Sequence, residues 1–154
     1  MKLNDVVKNF TLLNDKGENI SLYDINTKYV VLYFYPKDST SGCTLEALGY
    51  KDLYQEFVDN DVTILGISKD SVKSHVKFKE KYELPFTLLS DENLELVTYF
   101  DIYKEKSMYG RKYMGVVRTT YVLNDKHEII KLNEKVNTKT DAQEVLEFIK
   151  GLEV

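Results

Sequence analysis

Two short stretches restrict this chain more than any others. Val30 to Tyr35 reads VVLYFY, and Val62 to Ile67 reads VTILGI. Each is an unbroken apolar run rich in β-branched and aromatic residues, with no polar alternation. A strand that is apolar at every position has to be covered on both faces, the situation of an inner strand in a parallel or mixed sheet. Residues 44–60, between the two runs, carry apolar side chains at helical spacing. Strand, helix and strand in that order predict a right-handed parallel crossover.

The rest of the chain adds elements to that unit. FTLLNDKGENISL reads as an N-terminal hairpin turning at Asp15 to Gly17. Asp70 or Ser71 can cap a helix running to about Tyr82. Pro85 introduces a short strand, FTLLS, and residues 92–100 form a short helix. VVRTTYVLN and EIIKLNEKV read as two strands turning at NDKHE. Thr140 with Gln143 has the pattern of a capping box for the last helix, DAQEVLEFIKGL. With no repeat or linker along it, the chain reads as one α/β domain over residues 1–154, a mixed central sheet with helices on both faces.

Charge and cysteine content narrow the partners. The formal net charge of -4 leaves no electrostatic footprint for nucleic acid or an anionic membrane. No apolar run approaches the ~20 residues needed to span a bilayer, and MKLNDVVKNF lacks the apolar core of a secretory signal. Cys43 is the only cysteine, so no internal disulfide framework exists and a cytoplasmic location is expected. Of 21 basic residues only Arg111 and Arg118 are arginine. Arginine offers a planar fork of donors that lysine cannot replace.

Cys43 follows the first apolar run by a few residues. On a helical wheel of ~100° per residue it shares one stripe with Ala47, Tyr50, Tyr54 and Phe57. Lys51, Asp52, Gln55, Glu56 and Asp59 lie opposite. A small cysteine packed in a core is one reading. The other is an activated thiolate, because a helix N-terminus presents unpaired N–H groups and the positive end of the macrodipole. Thr40 and Thr44 add hydroxyls on either side, and Pro36 closes the strand and fixes the loop. Ligand sites of open α/β sheets collect at such strand ends.

The segment PKDSTSGCT, Pro36 to Thr44, carries a Pro-x-x-x-Thr-x-x-Cys pattern and resembles the peroxiredoxins. VLYFYPKD, LGISKDS, LPFTLLSDE, MYGRKYMG and VVRTTYVL resemble, in order, segments of the bacterioferritin comigratory protein or peroxiredoxin Q branch. The resemblance implies a thioredoxin-like fold and a thiol-dependent peroxidase acting on hydrogen peroxide and organic hydroperoxides. Cys43 matches the peroxidatic cysteine, Thr40 the threonine that holds the peroxide oxygens, and Pro36 the proline that shields the thiolate. Arg118 matches the arginine that supports thiolate and substrate, and Glu46 an acidic position that orients that arginine. Thr44 is a supporting neighbour. No metal or organic cofactor is implied.

Two departures from that branch matter. A resolving cysteine commonly stands five residues after the peroxidatic one, and here that position is Leu48. The product sulfenic acid then has to be reduced by an external thiol: thioredoxin, a glutaredoxin or a low-molecular-weight thiol. Residues five apart on a helix are ~7.5 Å apart along the axis and ~140° around it, beyond the ~7 Å Cα separation a disulfide tolerates. A helix with Leu48 is under no demand to unwind. Leu48 and Leu45 form an apolar pair on the polar side of the wheel, suited to packing under a loop or to docking the external reductant or a second subunit. Ser41 stands where that branch usually has proline, and still suits a helix cap.

Other features read as structural. Arg111, His75 and His127 are expected at the surface, and one cysteine with two scattered histidines makes no zinc site. The expected assembly is a monomer or weak homodimer. Two rival functions are a thioredoxin-fold binding or chaperone-like protein with weak peroxidase activity, and a cysteine hydrolase, which needs a histidine base beside the thiol.

Overall fold

In the computed structural model, which describes residues 1–152, the chain begins with β1 (Thr11–Asn14), β2 (Asn19–Ser21) and β3 (Tyr29–Phe34). It continues through α1 (Ser41–Asp52), α2 (Tyr54–Asp59), β4 (Val62–Ser68), α3 (Val72–Tyr82), β5 (Thr87–Ser90) and α4 (Glu95–Tyr99). Then come β6 (Tyr103–Met108), β7 (Arg111–Val116), β8 (Thr119–Leu123), β9 (Ile129–Asn133) and α5 (Asp141–Leu152). Seven strands form one mixed sheet in the order β2-β1-β5-β4-β3-β8-β9. The two apolar runs are its inner strands: β3 pairs in parallel with β4 and antiparallel with β8.

All six residues of β3 are buried, because alternate side chains serve two cores. Val31, Tyr33 and Tyr35 pack with Cys43, Ala47, Tyr50, Phe78, Val145 and Ile149, from α1, α3 and α5. Val30, Leu32 and Phe34 pack on the other face with Leu96, Val97 and Phe100 in and beside α4. Burying each such side chain stabilises the fold by roughly 1.5–3 kcal/mol. Tyr33 fixes how α1 lies on the sheet. Its ring stacks on Tyr50 at 4.6 Å and 11°, and it lies over Gly66, its partner in β4. A Cβ on Gly66 would stand 2.8 Å from the Tyr33 ring, so only glycine leaves room for it.

Several expectations need correction. The single helix over residues 44–60 is two. Leu53, at φ -103 and ψ 6, ends α1 and begins α2. The break lets Tyr50 and Phe57 share one core with their rings 5.7 Å apart. Ser41 is not the cap of α1. Thr40 occupies that position in an extended conformation, without a side-chain cap bond. VVRTTYVLN is split, with Val116 ending β7 and Thr119 starting β8. The β6–β7 hairpin was not anticipated. Its strands are mostly exposed, so they lack a clean apolar face, and its turn is Tyr109-Gly110, both at positive φ.

The capping box of the last helix does not form. The Thr140 N–H donates to Asn137 O, and the Gln143 amide turns outward to Glu147. Ser71 does cap α3, accepting from the Ser74 N–H at 3.1 Å. His75 is no surface residue but is fully buried, because both its ring nitrogens find partners inside the protein. His127 is half-buried and stacked on Tyr23, with ring centroids 4.1 Å apart. Arg111 is exposed, as expected.

Candidate active site

Cys43 is the third residue of α1 and is 1% exposed. The first backbone bond of the helix runs from the Thr44 N–H to Thr40 O, at 2.9 Å. The N–H groups just before it have no carbonyl of their own helix to reach, so the sulfur sits at the positive end of the helix. Gly42 and Cys43 therefore stand where a thiolate gains most from the backbone.

The loop that delivers α1 to this place is tied down through Asp38. Its Oδ1 accepts from the Tyr35 hydroxyl at 2.6 Å, and its Oδ2 accepts from the Ser74 hydroxyl at 2.8 Å. His75 Nδ1 lies 2.7 Å from the same Oδ2, and Nε2–H donates to Leu89 O at 2.9 Å. The Asp38 N–H donates to Asp70 Oδ2. Ser39 then takes a left-handed φ of 62° to turn the chain into Thr40 and the helix. The loop from Pro36 to Thr40 is thus held at Asp38 by side chains from Tyr35 just after β3, from α3 and from the β4–α3 link.

Arg118 arrives from the two-residue link between β7 and β8. Its Nη2 donates to Cys43 Sγ at 3.2 Å, and its Nη1 donates to Glu46 Oε1 at 2.7 Å. The Arg118 side chain is 19% exposed, while that of Glu46 is fully buried. Gly42 makes room for this approach, since a Cβ there would stand 3.3 Å from Nη2. Cys43, Arg118 and Glu46 are therefore joined through one guanidinium.

The other expected residues are placed less directly. Thr40 is exposed and its hydroxyl donates to Lys37 O at 2.9 Å, so it is not turned to the sulfur. Pro36 is half-buried two residues after the end of β3, and Thr44 is half-buried in the first turn of α1. Leu48 is half-buried and Leu45 is 46% exposed. Four contributors were missed. Lys106 of β6 lies close enough that Arg118 and Cys43 bear on its ammonium. Burial, and then Arg118, lower its pKa, while Cys43 opposes them. Only the unforeseen hairpin brings it there. Asp38 and His75 were missed because no local pattern links residues 37 positions apart. Asp141, buried beneath Glu46, had only its place at a helix start as a signal.

This arrangement can hold a thiolate and stabilise negative charge leaving it. It cannot supply a histidine base: His75 is committed to Asp38 and Leu89, and His127 stacks on Tyr23. A cysteine hydrolase is thereby disfavoured. Among the described residues no three His, Cys, Asp or Glu side chains are grouped to hold a metal ion, and no helix is long and apolar enough to cross a membrane.

Known proteins share this sequence and fold. The AhpC/TSA family pattern matches residues 3–132. The chain is 43% identical over 141 residues to Peroxiredoxin Bcp of Bacillus subtilis, covering 92% of this chain and 90% of that relative. A solved PrxQ variant from Xylella fastidiosa superposes with a TM-score of 0.95 at 35% identity, over 100% of this chain and 98% of the other. The bacterioferritin comigratory protein of Xanthomonas campestris, whose structure was described for alkyl peroxide reduction, superposes with a TM-score of 0.88. It is 37% identical, over 94% of this chain and 92% of its own.

Proposed function

Because this chain belongs to the AhpC/TSA family and is a thiol-dependent peroxidase of the peroxiredoxin kind, we propose that its chemistry runs at Cys43, with Arg118, Thr40 and Pro36 around it. The carrying observation is the Nη2 donor of Arg118 at 3.2 Å from Sγ. The thiolate attacks one peroxide oxygen. A sulfur–oxygen bond forms as the O–O bond breaks, and the second oxygen leaves as hydroxide or alkoxide and takes up a proton. Sulfur is oxidised to the sulfenic acid, and the peroxide is reduced to water or an alcohol.

Negative charge moves from sulfur to the departing oxygen in this step. Donors fixed along that path stabilise the transition state more than the ground state. Arg118 supplies a permanent charge and a second N–H donor, and the first-turn N–H groups of α1 add to it. Thr40 joins when its hydroxyl turns from Lys37 O to the bound peroxide. Pro36 shields the sulfur from the loop side. Glu46 holds the far side of the guanidinium, and Thr44 borders the sulfur.

Recycling needs a thiol from outside, since no second cysteine exists in the chain. An external thiol attacks the sulfenic sulfur and expels water, and a second thiol then frees Cys43 from the mixed disulfide. Thioredoxin, a glutaredoxin or a small thiol can serve, and the thiol-rich cytoplasm suits such a cycle. The protein acts as a monomer or weak homodimer, which sedimentation at assay concentration checks.

One equivalent of hydrogen peroxide or of a small organic hydroperoxide should place a sulfenic acid on Cys43 within the mixing time of a mass-spectrometric quench. Cys43→Ser should show none. Oxidation no faster than that of free cysteine would defeat the proposal. A panel of the three reductant classes, read as turnover, identifies the recycling thiol.

A further inference from the structure

Glu46 and Asp141 each use one carboxyl oxygen and leave the other without a donor. Glu46 Oε1 accepts from Arg118 Nη1 at 2.7 Å. Asp141 Oδ2 accepts from the Tyr50 hydroxyl at 2.7 Å and from the Thr120 hydroxyl at 2.9 Å. Glu46 Oε2 and Asp141 Oδ1 are buried and find no N–H or O–H among the described residues. Both residues are 1% exposed. Their helices pack closely at this point, where a Cβ on Gly49 of α1 would stand 3.5 Å from Cβ of Ala142 of α5. Asp141 is also near enough to Glu46 to act on its carboxyl, raising its pKa where Arg118 lowers it.

Two ionised carboxylates are acceptors only, so buried side by side they repel and leave both oxygens unsatisfied. One proton between them removes both costs. Burial, and then the neighbouring Asp141, push the Glu46 carboxyl well above the usual carboxylate range, against the pull of Arg118. The remaining titratable neighbours do not change this. Tyr33 from β3 and Tyr50 from α1 are pushed well above the ordinary tyrosine value, first by burial, and stay neutral. Arg118 and Lys106 bring positive charge from the β7–β8 link and from β6, and Cys43 is the reacting group.

We propose that Glu46 and Asp141 share a single proton at neutral pH, held on Oε2 of Glu46 and donated to Oδ1 of Asp141, and that Asp141 is thereby a positioning residue that keeps the charge of Arg118 available to the Cys43 thiolate. A neutral Glu46 still accepts from Nη1 through Oε1, so it orients the guanidinium without neutralising it. The positive charge is then drawn on by the sulfur at Nη2. The consequence for the thiol rests on the reading of Cys43 as the reacting group; the shared proton does not.

Two substitutions separate these statements. In Asp141→Asn the amide oxygen can accept from Tyr50 and Thr120 while the amide N–H donates to Glu46 Oε2, which leaves Glu46 ionised. In Glu46→Gln the side chain keeps the shape of the neutral acid, accepting from Arg118 and donating to Asp141. Infrared spectra at neutral pH should show one protonated carboxylic C=O stretch in the wild type and none in either variant. Its absence from the wild type, or its survival in Asp141→Asn, overturns the shared proton. The pH profile of Cys43 alkylation by iodoacetamide should move up by about one pH unit in Asp141→Asn and coincide with the wild type in Glu46→Gln. An unmoved profile in Asp141→Asn overturns the positioning role. A downward shift in Glu46→Gln also overturns it, since it would mean that an ionised Glu46 had been competing for Arg118. If Asp141→Asn does not fold, the Glu46→Gln spectrum and profile still decide. Failure of the peroxidase reading would appear instead as no sulfenic acid on Cys43 with the infrared band intact.

Discussion

Nη2 of Arg118 donates to Sγ of Cys43 across 3.2 Å, although 75 positions separate the two residues in the chain. The other arm of the same guanidinium holds Glu46, so one planar fork serves both groups at once. Lysine has a single ammonium on a flexible stem and cannot reproduce this. Arg118→Lys should lower the rate of Cys43 oxidation by roughly 10²- to 10³-fold, the usual cost of losing one preorganised donor. Stopped-flow oxidation under single-turnover conditions measures it, and a loss of less than about fivefold would contradict the role assigned to the fork.

Gly42 gives a case where stability and activity should part. A Cβ there meets Arg118 Nη2 at 3.3 Å, tighter than ordinary contact, and Thr138 Cγ2 at a comfortable 3.7 Å. Alanine also removes backbone freedom from the unfolded chain and favours the helix, by up to about 1 kcal/mol. Gly42→Ala is therefore expected to keep or raise Tm while slowing oxidation roughly tenfold, as the guanidinium is displaced by a few tenths of an ångström. Equal losses of Tm and rate would point to general disruption instead.

His75 and Asp38 anchor the loop that carries the site. The ring of His75 lies between Asp38 Oδ2 and the Leu89 carbonyl with no exposed surface. His75→Leu removes both partners at once and leaves buried acceptors behind. It should cost about 3 kcal/mol in urea unfolding and loosen amide protection in residues 36–40. A loss under about 1 kcal/mol would mean that the loop is held elsewhere.

The helix bearing Cys43 should stay folded through the catalytic cycle. It runs unbroken from Ser41 to Asp52, with Leu48 on it rather than a second thiol. Nothing in the oxidised chain can form an internal disulfide and pull the helix open. Hydrogen exchange after one equivalent of peroxide should find the amides from Leu45 to Leu53 as protected as before. Loss of protection there would show that oxidation itself unwinds the helix.

The sequence by itself determined the inner strands, a helix with Cys43 in its first turn, a cap at Asp70 or Ser71 and the turns at both ends of the sheet. All of these are local matters of periodicity, capping and turn chemistry. Pro36, Thr40, Cys43, Arg118 and Glu46 were singled out by the resemblance of PKDSTSGCT and VVRTTYVL to peroxiredoxin segments. What only the tertiary structure decided depends on groups far apart in the chain. His75 lies in a polar stretch and looks like a surface residue, yet Asp38 and Leu89 bury it by satisfying both nitrogens. Asp141 reads as an ordinary first-turn acid, yet the packing of α5 on α1 sets it against Glu46. The break at Leu53 and the β6–β7 hairpin come from how the core and a two-residue turn accommodate the chain, and no propensity over a few residues records that. Local preference chooses the elements, whereas burial and the pairing of buried charges are settled only when distant segments meet.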